Sequence, residues 1–269
     1  SRFRFFYQMI IDFHTHYYPA KVVGKALAAV EGRIGHYTDG SRAGLLASMR
    51  EAKIDYSLAL PIATRPANSR GINTWAAAER SENIGLTGSI HPGDPHLPDT
   101  LKYIAEQGLP GIKLHPEYQQ FDFADERLYP VWERCVELDL FVITHAGCDV
   151  MFKPPWHSDP ARLAAFHRRF PELKLILAHL GSMEMWDAVE TELAGLPVYF
   201  DLALLTPDRL PPQRLLAIIR KHGAERILFG TDSPWSPQKA HVDYIRSLPL
   251  SEAERELIFH RNAAKLLHL

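Results

Sequence analysis

The chain has 269 residues, 46% hydrophobic and 23% charged, an ordinary globular composition with length for one sizeable core. A formal net charge of −2 gives no electrostatic case for nucleic acid or an anionic membrane. Two cysteines, Cys135 and Cys148, argue against a disulfide scaffold, and no apolar run reaches the roughly 20 residues of a bilayer span, so a reducing cytoplasm is expected.

Residues 1–8, SRFRFFYQ, precede Met9 and lack the long apolar stretch of a secretory signal. They read as an expression remnant or an N-terminal extension, with the domain at 9–269. From Met9 onward, short β-rich runs alternate with helical patterns. The first run, MIIDFHTH (9–16), ends on His14 and His16. Residues i and i+2 of a strand share a face, with Cα atoms about 7 Å apart. Both imidazoles can then reach one ion at about 2.0–2.1 Å. Asp12 lies on the same alternation one layer deeper, where it either braces a ligand histidine or fills the interior.

A helical segment (41–54) leads to YSLALPIA (56–63). Arg65, in the loop beyond, is either a bidentate carboxylate clamp or an exposed loop arginine. IGLTGSIHP (84–92) ends on His91, a substrate contact or a turn residue. After helix 99–108, PGIKLHP (110–116) places Lys113 and His115 on one face. Lys113 has three readings: a carboxylated bridge between two metals, an ammonium for a substrate carboxylate, or a salt-bridge partner of Asp201. His115 contacts substrate, supports a ligand, or sits in the core. Helix 125–139 leads to LFVITHAG (140–147), ending on His145. LKLILAHLG (173–181) ends on His179, and VYFDLAL (198–204) contains Asp201. Helix 212–223 stops at Gly223, and RILFGTDSP (226–234) ends on Asp232. Tyr18, Trp156 and Trp235 follow runs 1, 5 and 8, as pocket walls or rim aromatics. His157, His167, His222, His241, His260 and His268 fall on helices or loops and read as solvated.

Eight runs with helical crossovers in about 250 residues predict an α/β fold, a closed (β/α)8 TIM barrel of one domain. Such a barrel works at the C-terminal ends of its strands, where His14, His16, His91, Lys113, His115, His145, His179 and Asp232 all fall. Three histidines, His14, His16 and His145, with the Asp232 carboxylate suit one zinc, with manganese or iron as alternatives. An open coordination position would hold a water whose pKa falls from about 15.7 towards about 7. Asp232 would take its proton, and His179 would act opposite as electrophile or general acid.

The pieces DFHTH, GIKLHP, ITHAG, FPELKLILAHLG, RILFGTDSP and NAAKLL, in this order, resemble the amidohydrolase superfamily, in its branch of TIM-barrel metal-dependent hydrolases. The resemblance implies a metal on His14, His16, His145 and Asp232, with His179 near the reacting group. It also implies a choice of chemistries, because the branch includes decarboxylases. The first expectation is a hydrolase of a small amide, lactone or ester-like substrate. The alternative is a decarboxylase of a small aromatic or unsaturated acid. For either chemistry Lys113, His115, Arg65 and Trp235 are the expected substrate contacts. A second metal would recruit Lys113 and His179. The expected partner is a small molecule, with a homo-oligomer as an option.

Overall fold

Each apolar run forms a parallel strand in the computed structural model, which describes residues 8–269. The rest of segment 1–8 lies outside the described residues. The strands are β1 Ile11–Thr15, β2 Tyr56–Ala59, β3 in two pieces (Ile84–Leu86 and Gly88–Ser89), β4 Gly111–Leu114, β5 Phe141–Thr144, β6 Leu175–Leu177, β7 Tyr199–Asp201 and β8 Ile227–Leu228. They pair in chain order, all parallel. The chain beyond β8 closes the cylinder. Phe13 N–H donates to the Phe229 carbonyl (2.9 Å), Asp232 N–H to His14 (2.7 Å) and His16 N–H to Ser233 (2.6 Å). The result is a single-domain (β/α)8 TIM barrel.

The strands stop short of the apolar runs that predicted them. The ladder of β5 ends at Thr144, before His145, and that of β6 ends at Leu177, before His179. Single backbone bonds carry the pairing a residue further, His145 N–H to Leu114 (3.1 Å) and Ala178 N–H to Thr144 (3.0 Å).

The interior layer comprises Ile11, Phe13, Leu58, Phe141, Ile143, Ile176 and Leu228, with Ala263 and Leu266 of the last helix packed against it. Phe13 meets Phe141 across the cylinder at 5.5 Å between ring centroids. The two readings of Asp12 are separated here. The register of β1 against β2 shifts between Asp12 and Thr15, so strict alternation fails there. Asp12 does not fill the interior; its Oδ1 accepts the His14 backbone N–H at 3.2 Å, so it braces that histidine. Its Oδ2 accepts from Gln238 Nε2 (2.8 Å) on helix Gln238–Ser247 and from Thr231 Oγ1 (2.6 Å). Burial pushes its carboxyl up to about 7 against these hydrogen bonds.

The outer helices follow the predicted pattern. Arg42–Ala52 starts where Ser41 Oγ accepts from Gly44 N–H. Pro212–His222 ends at Gly223, whose φ of 101° favours glycine. His167, His222 and His241 are buried rather than solvated. They lie on the inward stripes of their helices, where His222 stacks on Phe200 at 3.8 Å and donates to the Val198 carbonyl. Among the described residues, no helix is long and apolar enough to cross a membrane.

Candidate metal centre

His14, His16 and Asp232 each offer a ligand atom, and the three atoms lie within 4.8 Å of one another. β1 delivers the two histidines, whose ring centroids are 5.2 Å apart. The turn after β8 delivers Asp232, with φ at 68°. Its N–H bond to the His14 carbonyl holds that left-handed conformation, which costs about 1–2 kcal/mol in a residue other than glycine. Gly230 permits the close passage of the strands, because a Cβ there would lie 2.9 Å from His14 Cβ.

The outward nitrogens decide what faces inward. His16 Nδ1 lies 3.0 Å from the Leu60 carbonyl, which can only accept, so Nδ1 carries the proton. His14 Nδ1 lies 2.7 Å from Asp201 Oδ2 and donates likewise. Both Nε2 atoms are therefore lone pairs, and both face Asp232 Oδ1, at 3.4 Å from His14 and 3.0 Å from His16. Oδ1 is buried and accepts no hydrogen bond from either ring. Two imidazole lone pairs and a carboxylate oxygen directed at one another repel unless a cation lies between them. The donor set therefore fits a divalent ion.

Electrostatics point the same way. Burial and the Lys113 ammonium hold the His14 imidazole well below its ordinary range. The His14 ring is thus held neutral, as ligation requires.

Two further histidines stand beside this triad. His179 has φ of 59°, and Asp201 Oδ1 accepts its N–H at 2.9 Å. Its Nδ1 donates to the Ala203 carbonyl (3.0 Å), which leaves Nε2 as a lone pair. His145 Nε2 donates to the Gly147 carbonyl (3.3 Å), which leaves Nδ1 free. These two lone pairs face each other at 3.2 Å. Asp201 thus orients both His14 and the backbone of His179, so it braces the centre and forms no salt bridge to Lys113.

The structure does not group His145 with the triad by distance. Its ligand atom falls instead within 4.8 Å of His115 and Asp149. That second group is poorly built for an ion. The rings of His115 and His145 stack at 4.2 Å and 10°, so their in-plane lone pairs run parallel and do not converge. His115 Nδ1 accepts from Tyr118 N–H, and its Nε2 donates to Asp149 Oδ2 (3.2 Å), so neither nitrogen is spare.

Lys113 points inward from β4 and is 1% exposed. Its charge is felt by His14, His115, His145, Asp201 and Asp232, yet its ammonium has no hydrogen bond or ion pair among the described residues. Burial pushes it down to about 8. Trp235 is half-buried in the turn that closes on Asp232. Arg65 is exposed, ahead of a 3-10 turn, and is not brought to the cluster. Sequence reasoning missed Asp149 and the Glu117–His157 pair, whose partners lie 34 and 40 residues apart.

Comparison with known proteins agrees with this architecture. The Amidohydrolase family model matches residues 11–269. The gamma-resorcylate decarboxylase of Polaromonas sp. strain JS666 is 31% identical over 117 residues, covering 38% of this chain and 36% of that protein. The match thus spans about a third of that relative's length. The 5-carboxyvanillate decarboxylase of Sphingomonas paucimobilis superposes with a TM-score of 0.75 at 17% identity, covering 98% of this chain and 100% of that one. A 5-carboxyvanillate decarboxylase of Novosphingobium aromaticivorans was solved with manganese and 4-hydroxy-3-methoxy-5-nitrobenzoic acid. It superposes with a TM-score of 0.75 at 14% identity, covering 97% and 96%. With the family model matched across nearly its whole length and a donor set fit for a divalent ion at the barrel mouth, the chain belongs to the amidohydrolase family as a metal-dependent TIM-barrel enzyme.

Proposed function

We propose that the chain is a decarboxylase of small aromatic carboxylic acids, with one divalent ion held by His14, His16, His145 and Asp232. The observation that carries this reading is Lys113, a buried ammonium with no carboxylate partner beside the donor cluster. An unpaired buried cation is costly in an empty pocket and useful in one that receives an anion. The charges of Asp232 and Asp201 reach the ammonium, but Asp201 does not contact it, because its oxygens are engaged by His14 and by the N–H groups of His179 and Ala203. The relatives named above are decarboxylases of aromatic acids, which supports the same class. Hydrolysis, the first expectation from the sequence, would use such a cation only for a substrate that bears a carboxylate, and decarboxylation is the reading proposed in its place.

Assigning His145 to the ion also relieves its clash with His179, because one of the two facing lone pairs is then used. Zinc and manganese both suit imidazoles with a carboxylate. The manganese of the Novosphingobium protein makes manganese the first ion to test.

A divalent ion held by these residues would supply Lewis-acid polarisation of the bound acid. Lys113 neutralises the substrate as it leaves water, and Trp235 walls the ring. A proton taken from solvent and passed on by Asp232 adds to the ring carbon bearing the carboxylate. CO2 then leaves, and the released C–C electron pair restores the aromatic ring. His179, its tautomer fixed by Ala203, presents Nε2 to the reacting group as an acceptor for a substrate hydroxyl. Arg65 has no assigned role.

The test uses manganese- and zinc-loaded protein with carboxyl-labelled hydroxybenzoates, alongside ester, amide and lactone panels. Labelled CO2 with the matching phenol is the expected outcome. Turnover confined to the hydrolysis panels rules the reading out.

A further inference from the structure

Along helix Pro116–Gln119, a cavity of about 750 Å³ opens between the loops that follow β3, β4 and β5. None of its walls is a donor of the metal centre. Its most unusual feature is an oriented imidazole. Glu117, 2% exposed, accepts the backbone N–H of His157 at 2.7 Å and its ring Nδ1–H at 2.8 Å. With the Nδ1 proton committed to Glu117, His157 Nε2 is left as an acceptor, without a partner among the described residues, on a ring that lines the cavity. A second imidazole has the opposite polarity. Gly93 N–H donates to His91 Nδ1 (2.9 Å), so His91 Nε2 carries the proton and is a donor.

The remaining walls select against charge. Arg127 is paired with Asp125, and Arg162 with Asp122 and Asp159, so no cation is left for a carboxylate. Phe121, Leu128 and Trp156 add apolar, flat surface. The contrast with Lys113 is direct: the metal centre keeps an unpaired cation, and this cavity has neutralised its own.

We propose that this cavity is a second small-molecule site, for a neutral hydroxyaromatic compound. A phenolic hydroxyl donates to His157 Nε2, a second ring oxygen accepts from His91 Nε2, and the ring lies against Trp156 and Phe121. Resting on the decarboxylase reading, the ligand is the class of product that the reaction releases after its carboxylate has gone. The cavity then holds the phenol without competing for the incoming acid.

The experiment is calorimetric titration of resorcinol, and separately of benzoate, into the metal-loaded full chain and into the same chain after chelation. Resorcinol is expected to bind equally with and without metal, and benzoate is expected not to bind the chelated protein. His157→Ala should weaken resorcinol about tenfold, the loss of one good hydrogen bond. Trp156→Ala should weaken it independently through the ring contact, and both side chains are partly exposed, so neither change opens the core. No resorcinol binding, binding that needs the metal, or binding indifferent to both substitutions overturns the site. CO2 release is measured in parallel. Binding without CO2 release overturns the decarboxylase reading and keeps the cavity. CO2 release without binding does the reverse.

Discussion

Two groups of three potential ligands lie at the mouth of this barrel, and they differ in what their second nitrogens do. In the His14–His16–Asp232 group, both outward nitrogens donate, to Asp201 and to the Leu60 carbonyl, so both inward nitrogens are lone pairs. In the His115–His145–Asp149 group, the rings are stacked and the His115–Asp149 contact already satisfies donor and acceptor. Both groups meet the same distance limit. Proximity therefore does not distinguish an ion site from a hydrogen-bonded brace, whereas the tautomers imposed by surrounding carbonyls and carboxylates do.

Removing Asp232 tests that distinction most severely. Asp232→Ala deletes the anionic ligand and leaves two lone pairs without charge to balance an ion. Metal analysis of protein purified without chelator should fall from about one ion per chain to near zero, and decarboxylation with it. His16→Ala should behave the same way. Retention of a full complement of metal by either variant would move the ion elsewhere.

Asp201→Asn is the next largest change. The amide keeps the shape but can present its N–H to His14 Nδ1, which drives the imidazole to the wrong tautomer. Metal affinity should fall about 10–100-fold, read by competition with a chromophoric chelator. An unchanged affinity would mean that the His14–Asp201 bond does not set the donor.

The barrel and its mouth were legible because chemistry sits where each strand runs out. His14, His16, His145, His179 and Asp232 each end an apolar run, and one fold gathers such positions. The supports were not legible. His16 is oriented by a carbonyl 44 residues away and His179 by one 24 residues away, and a backbone carbonyl leaves no mark on residue type. Asp12 was legible only as a choice of two roles, for a different reason: the register shift in β1 breaks the period of two on which its assignment relied. His157 looked like a solvated loop residue and Glu117 carried no signal, because their pairing depends on how two loops pack.

Lys113→Met separates binding from stability with opposite signs. Met fills the site without charge, so the KM for an aromatic acid should rise about tenfold while the thermal midpoint also rises, since an unpaired buried ammonium is lost. The pH dependence has a defined direction. Burial lowers the Lys113 pKa to about 8 from 10.5, so between those values the unfolded chain binds more protons than the folded one. Wild-type stability should therefore increase with pH across that window, while the KM for an acid worsens as the ammonium discharges. The Met variant should flatten both trends. A KM that stays low above pH 9 in wild type, or an unchanged KM in Lys113→Met, would remove the ammonium from substrate recognition.

The smallest expected effect concerns the second histidine group. His115→Phe keeps a ring stacked on His145 but gives up the bond to Asp149 and the acceptor for Tyr118 N–H. Two modest hydrogen bonds, one of them long, are worth about 1 kcal/mol together, or about 2–4 °C in the thermal midpoint of a domain of this size. Metal content should not change, because neither His115 nitrogen has a lone pair to give an ion. The stability loss alone would fit any buried histidine. The metal content discriminates, because a loss of metal in His115→Phe would require an ion among His115, His145 and Asp149, which their parallel rings do not allow without rearrangement.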